Sequence, residues 1–138
     1  RMCGKRTCVD YALVPSCVFA FPEMASVGKT EEQLRAEKND YVASRFQFAG
    51  NGKALSLGET NGFIKMLAKS DLSEILGVHI AGPHASDLIA EAVTVMKAML
   101  TVEEAARTMH AHPTLSEAFM ECVQRFSGEA IHVPPRFS

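Results

Sequence analysis

A chain of 138 residues is close to the size of one domain and can bury a single core, and 47% hydrophobic with 22% charged residues is ordinary for a globular protein. A net charge of -2 gives no electrostatic basis for binding nucleic acid, and no apolar run approaches the ~20 residues that a membrane-spanning helix needs. Four cysteines without framework spacing suit reduced thiols in a reducing compartment better than disulfide staples.

The opening run Arg1-Met2-Cys3-Gly4-Lys5-Arg6 is basic, but no signal-peptide apolar region follows, so it reads as the cut end of a longer segment. Cys17 to Phe21 is β-rich and closed by Pro22, a first strand entering a turn. Thr30-Glu31-Glu32-Gln33 has the form of a capping box and opens a helix through Leu34 that ends near Asn39-Asp40. From Tyr41 to Phe48 the pattern alternates, with Val42, Phe46 and Phe48 on one face and Arg45 and Gln47 on the other, as in a half-buried strand. Asn51-Gly52, Gly58 and Asn61-Gly62 punctuate a loop with a short helical turn around Leu55. Phe63 to Ala68 and Glu74 to Ile80 are strands joined by Lys69-Ser70-Asp71, an antiparallel hairpin.

After Gly82-Pro83 the period changes. Leu88, Ile89, Ala92, Val93, Met96, Met99 and Leu100 recur at helical spacing in a long amphipathic helix starting near Ser86-Asp87. Thr101-Val102-Glu103-Glu104 caps a short helix running to about Met109. Thr114 with Glu117 three residues on caps a last helix, placing Glu117 one turn inside it, and Ser127-Gly128 ends that helix after about Phe126. Strands first and helices later predict an α+β fold, an antiparallel sheet of about four strands with helices packed on one face.

The stretch with most chemistry is His110-Ala111-His112-Pro113-Thr114-Leu115-Ser116-Glu117. His112 precedes the helix start, so its ring can fold back to the Glu117 carboxylate and be oriented by it, which is what a general base needs. From spacing alone the plainer reading is that Glu117 only caps and His112 is a loop histidine. Two metal ligands, His110 and His112 with His79, His84 or Cys122, are a third reading. Sites with such spacing normally come with supporting acids and a closed Cys/His set, so no metal is expected. His84 and His132 read as ordinary surface residues, and Met96, Met99, Met109 and Met120 as core gap fillers or a binding surface.

The run HAHPTLSE resembles the signature of the C-terminal interface (dimerisation) domain of dihydrolipoamide dehydrogenase, in the pyridine nucleotide-disulfide oxidoreductase family. The resemblance extends over Val14-Pro15-Ser16, Pro22-Glu23-Met24-Ala25-Ser26-Val27-Gly28, Gly77-Val78-His79 and Gly82-Pro83, roughly from Tyr11 to Phe126. Glutathione reductase is similar but usually lacks the first His and the Leu of HAHPTL. The resemblance implies that residues 1–13 are a remnant of a preceding flavin-domain segment, 14–126 the interface domain and 127–138 a C-terminal tail. It implies that His112 and Glu117 are catalytic, exchanging protons as dihydrolipoamide attacks a redox disulfide. It further implies that the His112-Pro113 backbone, with a cis Pro113 bond, lies against the FAD of a partner subunit.

By the same resemblance, electrons pass through FAD to NAD in the full enzyme, while the isolated domain binds neither and is inactive. The implied partners are a second copy in a homodimer and the lipoyl and subunit-binding domains of a 2-oxoacid dehydrogenase complex acyltransferase. The implied location is bacterial cytoplasm or mitochondrial matrix. Cys3 and Cys8 copy the spacing of the family's redox disulfide, but at the wrong end of the architecture, and no G-x-G-x-x-G occurs among the nine glycines to cradle a pyrophosphate. The rival class is a non-catalytic α+β binding or assembly module, which would need no flavin-bearing partner.

Overall fold

Alternating burial along the strands decides what the sheet covers. The computed structural model describes residues 8–133, so Arg1–Arg6 and the Cys3–Cys8 spacing fall outside the described residues. Strands Ser16–Val18 (β1), Glu23–Gly28 (β2), Tyr41–Gln47 (β3), Phe63–Lys69 (β4) and Ile75–Gly82 (β5) form one sheet in the order β1-β2-β5-β4-β3, every neighbour antiparallel. Phe46, Ile64, Met66, Ala68, Val78, Ile80, Ala25 and Val27 turn to one face and are buried there.

The helices are Glu31–Ala36 (α1), Gly52–Leu57 (α2), Ala85–Lys97 (α3), Val102–Ala106 (α4) and Glu117–Gln124 (α5). The helix α3 lies over β2 and β5, and α5 over β3 and β4, so the two long helices share the core face. Ile89 and Ala92 of α3, with Ala118, Phe119, Cys122 and Val123 of α5, complete the core. Burying a side chain the size of Phe119 contributes about 2 to 3 kcal/mol. The Ser44 hydroxyl donates to the Cys122 carbonyl at 2.6 Å and ties β3 to α5.

The expected α+β sheet of about four strands is present, with one strand more. Met24-Ala25-Ser26-Val27 has little β propensity of its own, yet β2 is held between β1 and β5, where the ladder supplies what propensity does not. The first strand stops at Val18 instead of Phe21. Pro22, joined to Phe21 by a cis bond, has no N–H to extend the ladder, and Phe19 and Phe21 loop out exposed.

One helix sits apart from the others. Leu67 points away from the core by strand alternation, and it and Leu34 of α1 are fully buried without belonging to the main core. The ion pair of Lys65 with Glu31 holds α1 over this end of the opposite face. Met99 leaves the predicted amphipathic stripe, because α3 ends at Lys97 and Met99 turns out to solvent at φ 53°. Met109 is likewise exposed, beyond the end of α4 at Ala106, so neither fills a core gap.

Candidate functional site

The segment between α4 and α5 runs along the rim of the core face, where α5 begins. Ser116 is the N-cap, so Glu117 is the first helical residue and not one turn inside. The capping box read from Thr114 and Glu117 is half formed. Glu117 Oε2 accepts from the Thr114 N–H at 2.8 Å, but the Thr114 hydroxyl donates to the Ala111 carbonyl at 2.7 Å and lies 3.0 Å from the Ser116 hydroxyl.

The second carboxylate oxygen, Glu117 Oε1, lies 2.9 Å from Nδ1 of His112. The Glu117 side chain is 18% exposed and the His112 ring 78%. Burial pushes the Glu117 carboxyl up, but the Thr114 N–H, the His112 hydrogen bond and the charges of His112 and His110 outweigh it and hold it below the usual carboxylate range. The helix N-terminus acts in the same direction. An ionised carboxylate only accepts, so His112 Nδ1 carries the hydrogen in this pair. In the neutral ring, Nε2 then keeps its lone pair for whatever approaches from solvent. Pro113 follows across a cis peptide bond, and Ala111, His112 and Pro113 are all exposed.

The other histidines have separate work. The His110 side chain is 6% exposed, with Nε2 2.6 Å from Glu91 Oε1 of α3 and Nδ1 3.0 Å from the Thr108 carbonyl. Both of its nitrogens therefore face acceptors, and no lone pair is directed towards His112. His79 Nε2 meets the Lys29 carbonyl at 3.0 Å, and His84, at the N-cap of α3, lies 3.3 Å from Asp87. The Cys122 thiol is pushed up to about 12 by burial. The five side chains of the metal reading thus do not converge, and among the described residues no group of three or more His, Cys, Asp or Glu is placed to hold an ion.

His132 is at the surface as read, its side chain 62% exposed, but it has a buried partner. Its ring Nδ1 is 2.7 Å from Oε1 of Glu121, a carboxylate buried in α5, whose Oε2 accepts from the backbone N–H groups of Ile131 and His132. Glu91 and Asn51 were also unmarked by sequence reasoning. Asn51 could have been found as an N-cap ahead of Gly52-Lys53-Ala54, and it does accept from the Ala54 N–H at 2.9 Å.

This architecture is that of one domain of the disulfide reductases. The HOCl-induced flavoprotein disulfide reductase RclA from Escherichia coli, as its Cu(II) complex, superimposes with a TM-score of 0.78 at 26% identity over 82% of this chain and 26% of its own. LpdA from Mycobacterium tuberculosis gives 0.81 at 25% identity over 87% and 26%. The chain belongs to the pyridine nucleotide-disulphide oxidoreductase dimerisation-domain family, whose model matches residues 14–123. It is 49% identical to the dihydrolipoyl dehydrogenase of Cupriavidus necator over 88% of this chain and 26% of that one. It is 45% identical to that of Geobacillus stearothermophilus over 94% and 28%, and 44% identical to a mitochondrial one of Arabidopsis thaliana over 94% and 26%. The chain spans about a quarter of the length of these relatives. No described helix is long and apolar enough to cross a membrane.

Proposed function

We propose that residues 14–126 act as the interface domain of a flavin-dependent, NAD-linked dihydrolipoamide dehydrogenase. In this reading His112 and Glu117 are the acid/base pair that one subunit of a homodimer gives to its partner's active site. His112 Nε2 takes a proton from a dihydrolipoamide thiol, leaving a thiolate able to attack the enzyme's redox disulfide. Glu117 keeps the hydrogen on Nδ1, holds the ring and stabilises the imidazolium until the proton is returned. The observation that carries this is the 2.9 Å contact from Glu117 to Nδ1, with the ring otherwise in water and Nε2 left as the base.

The cofactors belong to the whole enzyme. The exposed edge Ala111-His112-Pro113 is open to contact with a flat ring from another subunit, which fits a flavin there. FAD, when bound, would carry the electrons onward to NAD. The lipoyl and subunit-binding domains of a 2-oxoacid dehydrogenase acyltransferase would be the partners that deliver substrate, in bacterial cytoplasm or mitochondrial matrix.

The test is His112→Gln in the full-length enzyme that carries this domain, assayed with dihydrolipoamide and NAD. General acid–base catalysis is worth roughly 10²- to 10⁴-fold, and a loss of that size with flavin content and dimer mass unchanged is expected. A variant within a few-fold of wild type would sink the catalytic role and leave a binding or assembly module.

A further inference from the structure

Asn51 is a buried polar side chain that the proposed chemistry does not use. It is 3% exposed and lies between the 3₁₀ turn Phe48–Gly50 and α2. Its two polar atoms face different elements. Oδ1 accepts from the Ala54 N–H, an ordinary cap. Nδ2 donates to the Thr114 carbonyl at 3.0 Å, across 63 residues of sequence.

That carbonyl belongs to a residue bonded on every side. The Thr114 N–H goes to Glu117 Oε2, its hydroxyl to the Ala111 carbonyl, and its carbonyl to Asn51. The first two bonds are local, one to the loop itself and one to the first residue of α5. The Asn51 bond comes from the β3–α2 connection, which the buried Phe46, Phe48 and Ala54 anchor in the core. A residue fixed through its carbonyl has little freedom to swing the N–H that orients Glu117. The His112 ring, mostly in water, takes its direction from that carboxylate.

We propose that Asn51 is a positioning residue for the His112–Glu117 pair: its amide N–H holds Thr114, and Thr114 holds the Glu117 carboxylate in line with His112 Nδ1. This rests on reading that pair as the acid/base couple. Capping and positioning use opposite ends of one side chain, so they can be separated. Asn51→Ser and Asn51→Asp keep an oxygen that accepts from Ala54 N–H but have no N–H to offer Thr114.

The experiment is nitrogen NMR of the labelled 138-residue chain and both variants, read at the His112 ring and at the Ala54 and Thr114 amides. In the wild type a through-bond coupling between Asn51 Nδ2 and the Thr114 carbonyl carbon is expected, and the neutral His112 ring should carry its hydrogen on Nδ1. In both variants the ring should move to a mixture dominated by the Nε2–H form. Thr114 should lose exchange protection while Ala54 keeps it. Absence of the coupling in the wild type overturns the proposal without any variant having to fold. A wild-type ring on Nδ1 that stays there in both variants overturns it too, while leaving the pair intact. A wild-type ring not on Nδ1 refutes the pair itself, and the proposal falls with it.

Discussion

Replacing Glu117 by Gln keeps the shape of the side chain and removes one acceptor. If the amide oxygen takes the Thr114 N–H, now 2.8 Å from Oε2, the NH2 group faces His112 Nδ1. Two donors cannot share that contact. The neutral ring must then move its hydrogen to Nε2 and accept at Nδ1, which caps the nitrogen proposed as base. The opposite amide orientation sets NH2 against the Thr114 N–H and loses that bond instead. Either way a charge-assisted hydrogen bond becomes a neutral one. Because the His112 ring is 78% exposed and screened, the cost is about 1 kcal/mol, or roughly 3 to 5 °C in Tm for a domain of this size.

On the proposed reading the catalytic cost is larger where the ring takes the wrong tautomer and offers no base: roughly 10²- to 10⁴-fold in dihydrolipoamide turnover by a full-length enzyme carrying this domain. The stability cost depends on pH. The Glu117 carboxyl sits below the ordinary carboxylate range. Its contribution is therefore fully present above the unfolded pKa of ~4.3 and is lost as pH falls through the folded one. Calorimetry of wild type and Glu117→Gln should show a full gap in Tm at neutral pH that closes below about pH 4. A gap unchanged down to pH 2 would refute the reasoning.

Three further outcomes follow from the packing. Gly82→Ala places a Cβ 2.5 Å from Cε2 of buried Phe48 at φ 153°, which should cost about 3 kcal/mol in denaturant unfolding, and a loss under 1 kcal/mol would contradict that fit. Glu121→Ala removes the acceptor for the Ile131 and His132 N–H groups and the His132 ring. It should cost about 2 kcal/mol and open those two amides to fast hydrogen exchange, whereas unchanged protection there would show that other contacts hold the segment. Cys122, fully buried with its thiol at about 12, should resist iodoacetamide at pH 8 in the native protein while exposed Cys8 reacts. Peptide mapping that finds the two labelled at similar rates would be incompatible with that burial.

Local features of the chain follow from residues close together in sequence. The boxes at Thr30/Gln33 and Thr101/Glu104 form as read, because both bonds of each lie within four residues and need no other element. The alternation from Tyr41 to Phe48 and the hairpin of β4 and β5 were equally legible, since one buried face imposes a period of two. The family was legible because HAHPTLSE is a contiguous string. His112 and Glu117 are also only five residues apart, close enough for their contact to be anticipated.

The other features depend on contacts between distant parts of the chain. Thr114 and Glu117 have the same spacing as the two complete boxes, yet Thr114 turns its hydroxyl to Ala111 while Asn51, 63 residues away in sequence, holds its carbonyl. That is why Glu117 begins α5 instead of lying a turn inside it. Likewise β2 is a strand because β1 and β5 flank it, the His110 ring is held because Glu91 meets it from α3, and His132 is held because Glu121 lies under it. In each case the partner is chosen by which buried donor or acceptor would otherwise go unpaired, a cost that exists only once the sheet and helices have closed over the core.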